Sequence, residues 1–487
     1  MHFFLLLLLP FIVGCYPTRA TLETERAYQG PDDLEWLEEC PPDLSHPLTL
    51  DEMIGIGVAR NLDLYLKAEE IAIQEDRASQ VRWQLLPDLE YNFLDQRRSQ
   101  NTASFSRFLN PDFNIGPPVY QIGSPRHQQT WSLALAWNAL DFGVTYFRAR
   151  QQQNRATQED YEYERIRNNM ILRIVSSYWR AVFAKMAIQR MHELLPDMLD
   201  QTDKLNSELE NKVYLSKSQA LSKLVYFYQR EIQVRGYNDR NDSSDPTQGY
   251  EKEFESSLLD LATQMQLPPG IDFDIALPDD PMEIESDLPD LGDLFDLALQ
   301  YRPELFQRDL DVKITKDDVT IAMIQQFPAL RLFDGYNYDS NPFLLHRNWY
   351  LAGVNVAWNL LDFPSNIMGH VVATETVERA RRNRLLISQG VLSQVSLALI
   401  QFDQNKEQFI IALKVYKANK AIAELAESES KVGKKSKLEA LQSKIDTALA
   451  LNNLQKIYAE LQSNLEQLNN SIGLPRYFKT FESRGSP

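Results

Sequence analysis

The sequence predicts a mainly α-helical chain with a membrane β-barrel portion, organised as two tandem repeats. Three observations carry that prediction. WNALDF at 137–142 returns as WNLLDF at 358–363, and both halves close on Leu-Pro, at Leu267-Pro268 and Leu474-Pro475. Around each copy of the phrase the hydrophobic period changes from two to helical.

Composition narrows the class. The 487 residues include only 18 glycines against 68 Asp and Glu, with long stretches of Gln, Asn, Leu, Ala, Arg and Lys. That balance favours helices over a compact α/β enzyme. A net charge of −18 excludes nucleic acid as a partner, because phosphate binding needs a basic surface.

The opening MHFFLLLLLPFIVGC has an apolar core too short to cross a bilayer and suited to a secretory signal, so residues 1–14 are expected to be a signal peptide. Ile12-Val13-Gly14-Cys15 resembles the bacterial lipobox, which makes Cys15 the expected lipidation site and 15–47 a lipid-anchored extension; an ordinary signal with a chance cysteine is the alternative. Acylation leaves Cys40 a lone thiol, with no intrachain disulfide. No later stretch reaches 18 consecutive apolar residues, so no transmembrane helix is expected.

The first repeat spans 48–268. Thr49-Leu-Asp-Glu52 reads as a capping box, and Asp290-Leu-Gly-Asp293 opens the second repeat, 291–475, in a similar way. The helical stretches that follow align without gaps, placing Pro87 on Pro328 at a spacing of 241. Proline ends each of them. Strands are expected at about 87–100, 127–140, 328–338 and 348–361. Leu89, Tyr91 and Phe93 share a face, as do Trp131, Leu133, Leu135 and Trp137. In the second repeat Leu330, Leu332, Tyr336 and Tyr338 share a face, interrupted by Asp334, and Tyr350, Ala352, Val354, Val356 and Trp358 share another. These are four strands in two hairpins, the first hairpin carrying about twenty extra residues.

After each Asn-x-Leu-Asp-Phe a long helix begins, with Asp141 and Asp362 placed to cap its free N–H groups. Leu392, Val395, Leu399, Phe402, Phe409, Leu413 and Tyr416 form a narrow heptad stripe, repeated from Leu451 through Leu454, Tyr458, Leu461, Leu465 and Leu468 to Ile472. Ile171, Ile174 and Tyr178 hold the matching positions in the first repeat, and Pro196 is expected to kink that helix. Residues 269–290 read as an acidic, proline-rich linker and 476–487 as a tail.

Four strands with a lipid-grade face cannot close, and an open sheet edge is forbidden in a bilayer, so the chain must oligomerise. Residues from about 48 to 475 resemble the TolC-like outer membrane efflux proteins in the order of their parts. The resemblance implies a homotrimer with a 12-stranded β-barrel continued by a periplasmic α-barrel. It implies the exit duct of a tripartite efflux pump or type I secretion system, lipid-anchored in the outer membrane. The implied partners are an inner-membrane transporter, a periplasmic adaptor and outer-membrane lipids.

By the same resemblance, the turn of each long helical hairpin forms the tip that meets the adaptor. Those residues are Val213, Tyr214, Leu215 and Ser216 in the first repeat and Val432, Gly433 and Lys434 in the second. Tyr214 stands where the family has glycine, while Gly433 suits a left-handed turn. Lys435, Glu439 and Gln442 fall at the pore entrance; Ala220 replaces the usual acidic partner of the basic position, so Glu439–Lys435 contacts and packing are expected to hold the entrance, or else that pair is merely solvated. Trp137 and Trp358 are the expected membrane-interface aromatics.

No catalytic constellation stands out, no His spacing suits a metal, and no cofactor is expected. His192 is read as a packed histidine, and Gly55-Ile-Gly57 lacks the rest of a dinucleotide fingerprint. The competing reading is a non-conducting structural lipoprotein, a helical spacer that would have no use for an apolar strand face.

Overall fold

The computed structural model describes residues 26–27, 29, 42–109, 115–211, 216–235, 249–268, 270–278, 282, 288–434 and 436–476. Cys15 and Cys40, the expected signal peptide and the C-terminal tail from residue 477 lie outside the described residues. The chain divides into two units, one of residues 67–163 and 303–389 and one of residues 1–66, 164–302 and 390–487.

The first repeat reads α1 (Leu50–Arg60), α2 (Leu62–Trp83), β1 (Asp88–Arg97), β2 (Thr102–Leu109), β3 (Ile115–Ser124), β4 (His127–Asn138), α3 (Ala139–Glu210), α4 (Lys217–Arg235) and α5 (Tyr250–Gln264). The second reads α6 (Leu291–Tyr301), α7 (Pro303–Ile324), β5 (Ala329–Asp339), β6 (Asn348–Ala357), α8 (Phe363–Lys431) and α9 (Lys437–Ile472). The plan is therefore written twice, with one difference. The extra residues of the first hairpin form strands of their own, β2 and β3, which pair only with each other. Four strands were expected and six are present among the described residues.

In the unit of residues 67–163 and 303–389, β1, β4, β5 and β6 make one antiparallel sheet in that order. Its helices are joined by polar side chains. Arg150 holds the buried Asp317 with two guanidinium nitrogens, and Gln151 donates to the Ile314 carbonyl at 2.9 Å and to Asp318 at 2.6 Å. Tyr161 stacks on Phe306 with centroids 4.7 Å apart.

In the other unit, α8 buries Val395, Phe402 and Phe409 of the heptad stripe together with Val391, Ala398 and Ala412, which the heptads did not name, while Leu392, Leu399, Leu413 and Tyr416 are half-buried. Leu397, Ile400, Ile411 and Val415 are exposed. This helix also contains an 18-residue window with hydropathy 1.5, apolar enough for a membrane span by length and composition. Phe402 packs against Leu461 and Leu465, while 22% of that window is buried within the chain. On α9 the stripe is broader than expected, because Asn452, Gln455, Gln462, Glu466 and Asn469 are buried beside the heptad leucines. Arg190 of α3 donates to Asn452 and, at 3.0 Å, to Gln455, which fixes the register between the two helices. Burial pulls the Arg190 pKa below its ordinary value. α3 runs through Pro196 without a break in helix.

The Thr49 capping box is formed, with Glu52 N–H donating to the Thr49 hydroxyl and the Glu52 carboxylate accepting from Thr49 N–H at 2.8 Å. Asp290 occupies the N-cap of α6 but makes no side-chain cap bond, so its expected role is not fulfilled. His192 is exposed rather than packed and pairs with Glu251 at 3.2 Å. The linker does more than connect: Leu48 N–H donates to the Asp274 carbonyl and Ala276 N–H to the Leu48 carbonyl, both at 2.9 Å, with Leu48 and Ile275 fully buried.

Both repeats close by the same device. After α5, Gln266 takes a left-handed conformation (φ 52°) and Leu267 N–H reaches back to the Ala262 carbonyl; after α9, Gly473 (φ 84°) does the same and Leu474 N–H reaches the Asn469 carbonyl. The residue between the two leading helices then grips that end. Asn61 Nδ2 donates to the Gln264 carbonyl at 3.3 Å, and Arg302, 241 positions later, donates to the Asn470 carbonyl at 2.9 Å.

Two predictions follow from these closures. A Cβ at Gly473 would stand 2.7 Å from the Tyr301 carbonyl oxygen, whereas one at Gly433, also left-handed (φ 75°), would meet open space. Gly433→Ala therefore costs about 1–2 kcal/mol of backbone strain alone, and Gly473→Ala lowers the thermal unfolding midpoint further; equal shifts would contradict the close approach. Glu466 is buried and accepts from Asn469 Nδ2 and Arg476 N–H, both at 3.1 Å, yet burial outweighs these bonds and raises its pKa from 4.5 to about 7. The folded state thus binds the proton more tightly than the unfolded one, so stability is highest below the unfolded pKa and falls as pH rises to about 7. Unfolding midpoints measured against pH are expected to show a loss on the order of 3 kcal/mol across that window, absent in Glu466→Gln.

Candidate functional site

Directly opposed residues of an antiparallel sheet project to the same side, so the register assigns the faces. Leu89 pairs with Leu135, Tyr91 with Leu133 and Phe93 with Trp131; Trp131 pairs in turn with Tyr338, Leu133 with Tyr336 and Trp137 with Leu332. Leu332 continues to Val354, Tyr336 to Tyr350 and Leu330 to Val356. Apart from Trp358, which lies beyond the end of β6, the apolar strand residues anticipated from alternation share one surface, and it is open: Leu89 is 66% exposed, Tyr91 65% and Val354 63%. Asp334 interrupts it between Leu135 and Ala352. The opposite face carries Glu90, Asn92, Ala134, Ser132, Gly335, Asn337, Gly353 and Asn355, together with Phe333 against Gly353. β1 and β6 each pair on one side only, leaving two free edges among the described residues.

Trp131, Tyr336, Tyr338 and Tyr350 interlock near the hairpin end, with centroid separations of 5.4, 5.8 and 4.9 Å. At the helical end stand the two repeated tryptophans. Trp137 packs edge-on to Phe142 at 5.5 Å and Trp358 edge-on to Phe363 at 6.1 Å. The open apolar face is thus bounded by aromatic residues at both ends.

The junction from strand to long helix departs from expectation in an informative way. Asn138 caps α3, not Asp141; in the second repeat Asp362 holds the N-cap position of α8, its carbonyl accepting from Asn366 N–H at 2.9 Å, and Asn359 shapes the turn before it. Asn138 Oδ1 accepts from Leu140 N–H at 3.1 Å while its amide donates to Asp141 at 2.5 Å; Asn359 Oδ1 accepts from Leu361 N–H at 3.2 Å while its amide donates to Asp362 at 2.6 Å. The aspartates fix the amide orientation, and the asparagine carbonyl satisfies the backbone. Each strand also stops earlier than expected, at Asn138 and Ala357, because this turn takes over.

Of the expected tip residues, Val213, Tyr214, Leu215 and Lys435 lie outside the described residues. Ser216 precedes α4, its carbonyl accepting from Ala220 N–H at 3.1 Å. Gly433 is left-handed and Lys434 N–H returns to the Glu429 carbonyl at 2.9 Å, closing α8 by the motif that ends the repeats. Val432 and Lys434 are exposed. Ser436 caps α9 by accepting from Glu439 N–H at 3.2 Å; Glu439 is exposed and Gln442 half-buried. Behind the turns Met198, Leu205 and Phe227 of the first repeat pack with Leu441 and Ile445 of the second. The Tyr226 hydroxyl donates to Asp446 at 2.7 Å, and burial with that bond raises the Tyr226 pKa. Sequence reading missed this link between the repeats.

No group of three or more His, Cys, Asp or Glu among the described residues could hold a metal ion. A groove of about 460 Å³ lies among Arg173, Ser176, Arg180, Asp260 and Gln467, but Arg180 is already engaged by Asp260 and Glu253.

Residues 294–474 match the family model described as outer membrane efflux protein. The second repeat is an outer membrane efflux protein domain. No curated protein matches the chain in sequence. In structure the chain is similar to the outer-membrane channel OprN, at 15% identity and TM-score 0.64 over 87% of this chain and 89% of that one. It is similar to the open state of the Neisseria gonorrhoeae MtrE outer membrane channel, at 16% identity and TM-score 0.65 over 88% and 91%. It is also similar to the Campylobacter jejuni CmeC outer membrane channel, at 15% identity and TM-score 0.61 over 87% and 85%. These likenesses show that the efflux-protein domain and the repeat before it together adopt the fold of those channels.

The junction is open to test. Asn138→Ala is expected to cost about 1 kcal/mol as the loss of a helix cap, and Asn138→Ala and Asn359→Ala to speed amide hydrogen exchange at Leu140 and Leu361, respectively. Asp141→Ala and Asp362→Ala should change exchange less. The reverse order would return the capping role to the aspartates.

Proposed function

We propose that the protein is an outer-membrane exit duct, the passive conduit of a tripartite efflux pump or a type I secretion system. The observation that carries this reading is the four-stranded sheet with an exposed apolar face and both edges unpaired. In lipid such edges must be satisfied by further strands. Three copies, each giving four strands, close a 12-stranded barrel, and the exposed residues of α8 give the neighbouring helices a surface to pack on. The efflux-protein match over residues 294–474 supports the same conclusion. An acyl chain on Cys15 anchors the assembly, residues 213–216 and 432–434 meet a periplasmic adaptor, and an inner-membrane transporter supplies the energy. Lys435, Glu439 and Gln442 line the entrance. A spacer without a channel gives no role to Leu89, Tyr91, Val354 and Val356, which lie open on the sheet. We assign no enzymatic activity.

Detergent-extracted protein is expected to run as a heat-modifiable trimer and to conduct ions in planar bilayers, and Glu439→Gln is expected to lower its cation selectivity. A monomer released from membranes by carbonate would sink the duct reading, while unchanged selectivity would remove only Glu439 from the pore.

A further inference from the structure

The hairpin end of the sheet carries charge of the opposite sign to the chain. Against a net charge of −18, Arg97, Arg98, Arg126 and Arg347 cluster there, all exposed, with His127 and His346 among them. The helical end carries Asp88, Glu90, Asp141 and Asp362. The cluster is built by the fold. Arg98 N–H donates to the Arg126 carbonyl at 2.7 Å, Asp339 N–H to the Arg347 carbonyl at 2.8 Å, and Asn341 Nδ2 to the Gly123 carbonyl at 2.8 Å. The acidic groups nearby are engaged: Asp95 accepts from His127 at 2.7 Å and Asp339 from Gln128 at 2.8 Å. Arg97, Arg126 and Arg347 make no ion pair within the described residues.

Register decides where this charge points. Arg97 pairs with His127, and both continue the series of Phe93 and Trp131, so they project from the apolar face. From Trp131 to His127 is about 13 Å along the strand. That carries the cations past the aromatic row of Trp131, Tyr336 and Tyr338, which suits a hydrocarbon boundary, and into the depth of lipid headgroups. Arg347 continues the other face, since it lies opposite Asp339.

We propose that Arg97 binds the phosphate groups of outer-leaflet lipids; Arg126, opposite Arg98, continues the same face as Arg347. Guanidinium offers phosphate a planar pair of donors, and one such contact on each chain holds anionic lipid at the barrel's outer rim. The inference rests on the membrane-channel reading given above, because it needs the apolar face to be in lipid.

The test uses the full-chain protein reconstituted in vesicles of phosphatidylcholine with and without lipid A, a bisphosphorylated lipid. Conductance is recorded in both, and lipid retention after detergent exchange is measured by native mass spectrometry. Lipid A is expected to be retained in preference to phosphatidylcholine. Arg97→Gln should cut retention about fivefold, with trimer heat-modifiability unchanged, while Arg126→Gln and Arg347→Gln leave retention as it was and inorganic phosphate does not displace the lipid. Conductance without lipid A preference overturns this inference alone, as does equal loss in Arg347→Gln or displacement by inorganic phosphate. No conductance in either vesicle overturns the channel reading and this inference with it.

Discussion

A strand edge in an apolar medium has nowhere to place its N–H and C=O groups, and much of this chain is arranged around that requirement. β1 and β6 are edges, and the face between them is apolar and open. Either feature alone is ordinary in a soluble protein: edges hydrate, and one sheet face can be covered by helices. In the proposed duct, lipid covers that face and strands of neighbouring copies cover the edges. On that reading backbone satisfaction sets the oligomeric demand, and hydrophobic burial sets the medium in which it is met.

Duplication explains how one chain supplies such a sector. Each repeat turns from strand to long helix on an asparagine, the side chains of Asn138 and Asn359 both accepting from the N–H two residues on. Each uses a left-handed residue to end its last helix and a polar side chain to grip that end. The chemistry of the grip has diverged while its target has not. Asn61 and Arg302 both take a terminal carbonyl, a group that any donor of suitable reach satisfies. The closing residue has diverged too, because glycine is demanded only where the backbone of Tyr301 and Arg302 presses on Gly473.

The parts legible in the sequence were those set by periodicity. Alternation from Leu89 to Phe93 and from Trp131 to Trp137 placed the apolar face, and the heptads placed Val395, Phe402 and Phe409 in the buried stripe of α8. What escaped was set by partners that a one-dimensional pattern does not contain. Glu466 and Asn452 look like solvated positions beside a leucine stripe until α9 is seen to be enclosed more widely. The β2–β3 ribbon was hidden by Pro117 and Pro118, which argue against a strand; Pro118 pairs with Arg107 in a ribbon whose strands both have a free side, where a missing N–H is tolerated. At the junctions the wrong acceptor was chosen. Both Asn and Asp fit the spacing, and only geometry shows the asparagine carbonyl turned to the backbone and the aspartate turned to the amide.

The β2–β3 ribbon has a consequence for symmetry. A chain of two equal repeats, closed into a ring, would generate nearly twice as many equivalent sectors as copies. The ribbon occurs in the first repeat alone, between β1 and β4, while β5 and β6 are joined directly by residues 340–347. Any ring built from this chain therefore has a rotational order equal to its number of copies at the ribbon-bearing rim. At the helical rim, where both repeats present the same tryptophan and the same asparagine turn, the surface approximates twice that order. One end of the sheet reads as whole chains, the other as half-chains.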